Sequence, residues 1–190
     1  MIEELIRQNR SCRRFHQDYG IDTGTLKELV NLARLSGSAA NLQPLKYILS
    51  WSAEKNKRIF SCLAWAAYLK NWQGPNAGER PSAYIIILGD TNISKDFGCD
   101  HGIASQSILL GAREKGLAGC MIGMIKRTKL RNTLKIHEHF EILLVLAMGK
   151  PKEEVMIETV VDDNIKYWRD NDRVHHVPKR KLEDIIIKYP

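Results

Sequence analysis

Arg10-Ser11-Cys12-Arg13-Arg14-Phe15 and, further along, Ser38-Ala39-Ala40-Asn41-Leu42-Gln43-Pro44 are the two segments on which the reading of this chain turns. The first sets three guanidinium groups and a hydroxyl within Arg10 to Arg14, directly after a short helical pattern. Planar guanidinium forks match phosphate oxygens and grip them bidentately. The second segment offers small, amide and hydroxyl side chains between a predicted helix and a predicted strand. Such groups hydrogen-bond a polar heterocycle without crowding it. An arginine run alone reads as a solvated face. With the second segment in the same chain, it points to a ligand carrying phosphate at one end and a donor- and acceptor-rich ring at the other.

In this order and in a chain of this length, the two segments resemble the nitroreductase family of flavin mononucleotide (FMN) enzymes. Further stretches extend the resemblance over nearly the whole chain. Asp100 to Leu110 resembles the family's central helix, and Gly116-Leu117-Ala118-Gly119-Cys120-Met121-Ile122-Gly123 the strand and glycine turn after it. Leu146 to Pro151 resembles the end of the last core strand. Tyr167-Trp168-Arg169-Asp170 with His176-Val177-Pro178-Lys179-Arg180 resembles the tail of a subgroup of short members.

Size and composition agree with a single domain over residues 1–190, long enough to bury a sizeable core. Hydrophobic residues make up 44% and charged residues 27%, the balance of an ordinary soluble globular protein. No apolar run reaches the roughly 20 residues that span a bilayer. The acidic start, Met1-Ile2-Glu3-Glu4, lacks a signal-peptide core. Cys12, Cys62, Cys99 and Cys120 show no CxxC spacing, so reduced thiols and a cytoplasmic location are expected. The net charge of +7 collects at Arg7 to Arg14, Lys126 to Lys135 and Lys179 to Lys181. A cofactor phosphate and an anionic dinucleotide would use part of it, and solvated surface the rest. A nucleic-acid module would also be basic, but no zinc-finger spacing, RNA-recognition signature or basic tail is present.

Hydrophobic periodicity predicts alternating helices and strands. Helices are expected over Ile2 to Arg7, Thr25 to Leu35, Ala53 to Leu69, Cys99 to Lys115 and Thr128 to Leu134. Strands are expected over Lys46 to Trp51, Tyr84 to Leu88, Leu117 to Ile122 and Glu141 to Ala147. Asn71 to Pro81, with Gly74-Pro75 and Gly78, reads as a loop. Trp65, Tyr68 and Trp72 would then share one helical face, as packing or as a wall over a flavin. The last forty residues read as irregular, with Leu182 to Ile187 helical or extended. The fold class is α+β, a central sheet wrapped by helices. The resemblance implies that the sheet is mainly antiparallel and the protein an intertwined homodimer. The tail holds Ile157, Val160, Val161, Ile165, Tyr167, Trp168 and Val177, which would be costly to leave in water, so residues 155–190 are expected to lie on the partner subunit.

Motifs that are missing narrow the chemistry. There is no GxGxxG after a strand, no GxxxxGK[ST], no HExxH and no GxSxG. His137 and His139 are too close in sequence to share a helix face, and His175-His176 reads as a solvated or packing pair, so no metal site is expected. A flavin enzyme needs none of these, because the cofactor carries the redox chemistry. The catalytic side-chain set is therefore empty.

The resemblance implies the following roles. Arg10 and Ser11 meet the FMN phosphate and ribityl chain, with Lys179 and Arg180 as C-terminal candidates. Arg13 lies near the flavin N1 and O2 edge, with Arg14 as the competing choice. Ser38, Asn41 and Gln43 contact the flavin from the opposite subunit. The Ile122-Gly123 turn offers a backbone N–H toward N5. Many members carry a further Arg before the Arg-Ser pair, where this chain has Asn9. The activity implied is ping-pong transfer from NADH or NADPH to a nitroaromatic or quinone. The alternatives are a flavin or nucleotide binder without turnover, and a member with flavin-fragmenting or dehalogenating chemistry.

Overall fold

The computed structural model describes residues 1–187 and 189. Its centre is strand β3 (Ala83–Asp90), seven of whose eight residues are buried. It pairs antiparallel with β2 (Leu45–Ser50) on one side and with the long β5 (Phe140–Pro151) on the other. The far edge of β5 takes β4 (Ala118–Ile122) and then β1 (Phe15–His16), both antiparallel.

Successive residues of a strand face opposite sides of its sheet. Tyr84, Ile86 and Leu88 of β3 accordingly pack with Val145 and Ala147 of β5 in one core. Helices α3 (Ala53–Phe60) and α5 (Arg127–Leu134) close that core with Ile59 and Leu130. Ile85, Ile87, Leu146 and Met148 enter the second core, under α2 (Thr23–Arg34) and α4 (Asp100–Glu114). Being covered on both faces is what makes β3 a continuous apolar run. A Cβ on Gly111 of α4 would meet Leu32 Cδ1 at 2.1 Å, so glycine allows α2 and α4 their close approach. Asp22 caps α2, its carboxylate accepting from Thr25 N at 2.9 Å. Helix α1 (Ile2–Gln8) lies against α4. No helix among the described residues is long and apolar enough to cross a membrane.

Most elements end within a residue or two of their expected bounds, but two expectations fail. The helix expected over Ala53 to Leu69 stops at Phe60. Its backbone partners come from a distant segment: Ala64 N donates to Met124 O at 3.0 Å, Lys126 N to Cys62 O at 2.8 Å, and Leu63 bridges to Ile125. Ala66 then turns left-handed at φ 40°. Trp65, Tyr68 and Trp72 therefore share no helical face. Trp65 is buried between Phe60 and Trp72, with ring centroids 5.6 and 6.4 Å away, whereas Tyr68 is exposed beside Tyr167.

The tail is not irregular either. Strand β6 (Val155–Thr159) runs parallel to β8 (His175–Lys179), and β7 (Trp168–Arg169) pairs antiparallel with β8. The short α6 (Leu182–Ile185) follows, and residues 188 and 190 of the expected tail lie outside the described residues. One side of this small sheet rests on its own chain. Arg169 pairs with Glu153 and lies over the Trp72 ring at 4.2 Å, while Tyr167 packs at a tilt against Tyr68, with ring centroids 5.0 Å apart. Its other apolar groups, among them Ile157, Val161, Ile165 and Trp168, stay exposed.

Candidate functional site

Between α1 and β1 the chain is extended, and Cys12 N donates to Gly119 O at 3.0 Å. This lays the basic run beside β4, while β8 approaches from the opposite side. The result is a cleft of about 300 Å³ lined by Arg10, Ser11, Arg13, Tyr167, His175 and Lys179 among others. A second hollow of about 200 Å³ is lined by Trp65, Cys120, Ile122 and Gly123. Arg13, Met121 and Tyr167 line both. Arg10, Ser11 and Lys179 thus lie in one cavity and the Ile122-Gly123 turn in the other, with Arg13 common to the two.

Two buried polar atoms in the first cleft have no partner among the described residues, Arg10 Nε and His175 Nδ1. Arg10 Nη2 donates to Ile6 O at 2.8 Å, but its Nε is left over. Desolvation holds its pKa below the usual arginine value. Arg13 Nη1 lies 3.2 Å from His175 Nε2, and its guanidinium sits over the Tyr167 ring at 5.0 Å. An arginine can only donate, so His175 Nε2 accepts and Nδ1 carries the hydrogen. Burial, with help from the nearby cations Arg13 and Arg169, pushes the His175 pKa down to about 4, which keeps the imidazole neutral. His175 was not expected here. It belongs to an adjacent histidine pair in a segment without visible periodicity, and only the β6–β8 register buries it.

Arg14 lies outside the cleft. Its fork is spent on Glu79, with Nε to Oε2 at 2.8 Å and Nη2 to Oε1 at 2.7 Å. Lys152 and Arg173 approach the same carboxylate at 3.3 and 3.7 Å. Arg14 and the other cations hold the Glu79 pKa down at about 2. A carboxylate whose folded pKa is lowered contributes stability above its ordinary value and loses it as pH falls through the folded value. The melting temperature of wild type should therefore exceed that of Glu79→Gln at pH 6, and the gap should close between about pH 4.5 and pH 2. A gap independent of pH would overturn this. Arg180 pairs with Asp163 at 2.5 Å on the surface.

The loop Ser38 to Pro44 lies elsewhere. Ser38 Oγ donates to Asp100 Oδ2 at 2.6 Å and accepts from Gln43 N at 2.9 Å, and Ala39 N donates to Asp100 Oδ1 at 3.0 Å. Asp100 is buried at the start of α4, so it anchors the loop. Ala40, Asn41 and Gln43 hold positive φ of 48°, 55° and 52°, a conformation non-glycine residues seldom adopt. Ser38 and Gln43 line a separate cavity of about 230 Å³, and Asn41 is exposed beside it. Within one chain, then, Ser38, Asn41 and Gln43 do not meet the basic cleft. Neither Cys12 nor Cys120 offers a nucleophile: burial first, then Glu153, pushes Cys12 up to about 12, and burial raises Cys120.

Residues 6–150 match the profile of the nitroreductase family. This chain belongs to that family. A curated relative from Archaeoglobus fulgidus, described as a candidate NADH dehydrogenase/NAD(P)H nitroreductase, is 29% identical over 163 residues, covering 80% of this chain and 88% of that protein. Among solved structures, a nitroreductase family protein from Streptococcus pneumoniae superposes with a TM-score of 0.74 over the whole of both chains at 16% identity. One described as an FMN-dependent nitroreductase, from Clostridium difficile, gives a TM-score of 0.67 at 22% identity, covering 86% of this chain and 92% of that one. These likenesses establish the fold as that of the family, α+β with a mainly antiparallel sheet.

Proposed function

We propose that this chain is an FMN-dependent oxidoreductase that draws on NADH or NADPH and reduces a small acceptor, such as a nitroaromatic or quinone, in a ping-pong cycle. The observation that carries this reading is the pair of adjoining cavities, with Arg10, Ser11 and Lys179 in one, Gly123 in the other and Arg13 in both. The family membership and the names of the relatives support it. The residues fit the cofactor. Arg10 Nε and the His175 Nδ1 hydrogen are buried donors with nothing to bond, which an anionic, acceptor-rich ligand would satisfy. A Cβ on Gly123 would meet only Leu144, at 4.0 Å, so no protein atom fills the space before that turn.

Bound FMN supplies the atom, N5, that accepts a hydride and later gives it up. Arg10, Ser11 and Lys179 hold the phosphate end. Arg13, held by His175 and Tyr167, sets a fixed positive charge beside the ring edge that gains electron density on reduction. Arg14, committed to Glu79, is left to hold the fold, which makes Arg13 the charge of choice there. The Ile122-Gly123 backbone would offer an N–H to the bound flavin at N5. Ser38, Asn41 and Gln43 reach the ring from a partner subunit, because within one chain Ser38 and Gln43 line a different cavity and Asn41 is exposed beside it. The exposed apolar side of the tail then lies on that partner. A homodimer related by a two-fold axis satisfies both needs at once.

The deciding experiment is purification of the full chain followed by addition of NADPH. A yellow protein that bleaches and recolours with a quinone supports the proposal. A colourless protein that takes up no FMN overturns it, and a yellow one indifferent to NADH and NADPH makes it a flavin binder. A monomer that binds FMN at full stoichiometry would rule out the shared site. Arg13→Gln should lower the flavin reduction potential while oxidised FMN stays largely bound, measured by dye-coupled equilibration. An unchanged potential would remove Arg13 from the ring edge.

A further inference from the structure

A cavity of about 390 Å³ opens where the connection after β1, the start of α3 and the approach to β3 meet. None of its lining residues lines the clefts described above. The amide oxygens in its lining are already occupied, so its free side-chain polar groups are mainly donors. Asn56 is satisfied, its Nδ2 donating to Ser82 O at 2.6 Å and its Oδ1 accepting from Ser50 Oγ at 2.8 Å. Gln17 Oε1 accepts from Gly78 N at 2.8 Å and from Arg80 N at 3.3 Å, which leaves its amide hydrogens as donors. Ser82 is 8% exposed, and its Oγ is buried with no partner among the described residues. Arg80 Nε is buried and unpartnered in the same way, while its guanidinium lies over the Phe60 ring at 4.3 Å. Lys57 adds a second cation, and no carboxylate lines the cavity. Neither Lys57 nor Arg80 joins an ion pair among the described residues.

Buried donors without acceptors are uncommon in folded proteins and call for a partner. Two unpaired cations, a buried hydroxyl and a free amide in one hollow fit an anion. The wall adds a second requirement. Trp51 lines the cavity at 49% exposure and stacks with no other ring among the described residues. An open indole beside a guanidinium recognises a flat ring that carries the charge. A hollow of this size lies within the range of small-molecule sites.

We propose that this cavity is a second ligand site, separate from the flavin cleft, that takes a small aromatic carboxylate. Arg80 and Ser82 bind the carboxylate, Lys57 draws it in, and Trp51 covers the ring.

The probe is 4-fluorobenzoate, followed by fluorine NMR on the full chain with and without saturating FMN. Saturable binding is expected in both conditions. Arg80→Gln should weaken it at least about tenfold, the scale of one charge-assisted hydrogen bond. Trp51→Ala removes a half-exposed ring, so the fold should persist, and it should weaken binding about threefold to tenfold. Neutral 4-fluorobenzamide should bind at least about tenfold more weakly. No saturable binding by about 10 mM would overturn the proposal, as would unchanged affinity in both variants. Displacement of the probe by FMN would move it to the flavin cleft, and inorganic phosphate binding as well as 4-fluorobenzoate would remove the aromatic requirement. Either result overturns the site as described.

Discussion

Arg169→Ala should lower the stability of the apoprotein by about 3–5 kcal/mol, the usual effect of leaving one member of a buried ion pair behind. For a chain of this size that corresponds to a fall of roughly 6–20 °C in melting temperature. The reason lies in Glu153. Its side chain is 0% exposed, against 14% for Arg169. Oε1 accepts from Arg169 Nε at 2.8 Å, and Oε2 accepts from the backbone N of Arg13 at 2.7 Å. One carboxylate therefore ties the tail strand β7 to the segment carrying Arg13. Without Arg169 the charge stays buried, because the Arg13 N–H alone does not neutralise it. The Trp72 ring loses its cation as well. Adding Glu153→Gln to Arg169→Ala should recover part of the loss, since glutamine still accepts from Arg13 N without a buried charge. Thermal unfolding by circular dichroism reads both variants. An Arg169→Ala protein that melts with wild type would mean that the pair contributes nothing and the tail is held by other contacts.

What could be read from the sequence, and what could not, divides along the range of the interactions. Tyr84 to Leu88 was legible as a strand because both faces of β3 are covered, one by α3 and α5 and the other by α2 and α4. A strand buried on both sides must be apolar at every position, and that pattern needs no knowledge of the partner. Cys99 to Lys115 was legible for a similar reason, α4 being packed between α2 and the sheet. The basic run was legible by composition, and most of its named residues do line one cleft. The helix end at Phe60 was not legible. Ser61 to Leu69 has helical spacing, but the backbone at Cys62 and Ala64 is bonded to residues some sixty positions away. Local propensity gives way to such tertiary contacts. The tail failed for the same reason. Strands β6 and β8 pair in parallel, so each is stabilised by a segment it does not adjoin, and neither alternates cleanly. With that pairing hidden, His175 could not be recognised as a cleft residue. Sequence left Arg14 as a competing choice to Arg13. Glu79 separates them, by taking the Nε and Nη2 edge of Arg14.

Arg10→Ala should weaken FMN binding by about tenfold to hundredfold, the equivalent of one charge-assisted hydrogen bond of roughly 1.5–3 kcal/mol. Arg10 is the residue in the cleft with the most to gain from an anion. It is partly desolvated, which disfavours its charge, and its Nε is buried with no acceptor among the described residues. A phosphate oxygen would supply both the charge and the acceptor. The competing account is structural, since Nη2 also bonds the Ile6 carbonyl in the last turn of α1. The two accounts separate in the measurements. If Arg10 only holds α1, Arg10→Ala lowers the melting temperature of the apoprotein and leaves FMN affinity alone. If it holds phosphate, the apoprotein melts nearly as wild type, while the rise in melting temperature on adding FMN shrinks as mass action requires. Arg10→Lys should fall between wild type and Arg10→Ala, because an ammonium keeps the charge but cannot form the planar fork. Asn9 beside it is uncharged and adds no cation, so the loss of Arg10 should be felt in full. Lys179 lines the same cleft from β8 and, with Arg13 assigned to the ring edge, is the other cation placed to meet the phosphate. Wild-type FMN affinity in Arg10→Ala, measured by quenching of flavin fluorescence, would assign the phosphate to Lys179 and leave Arg10 as the clasp of α1.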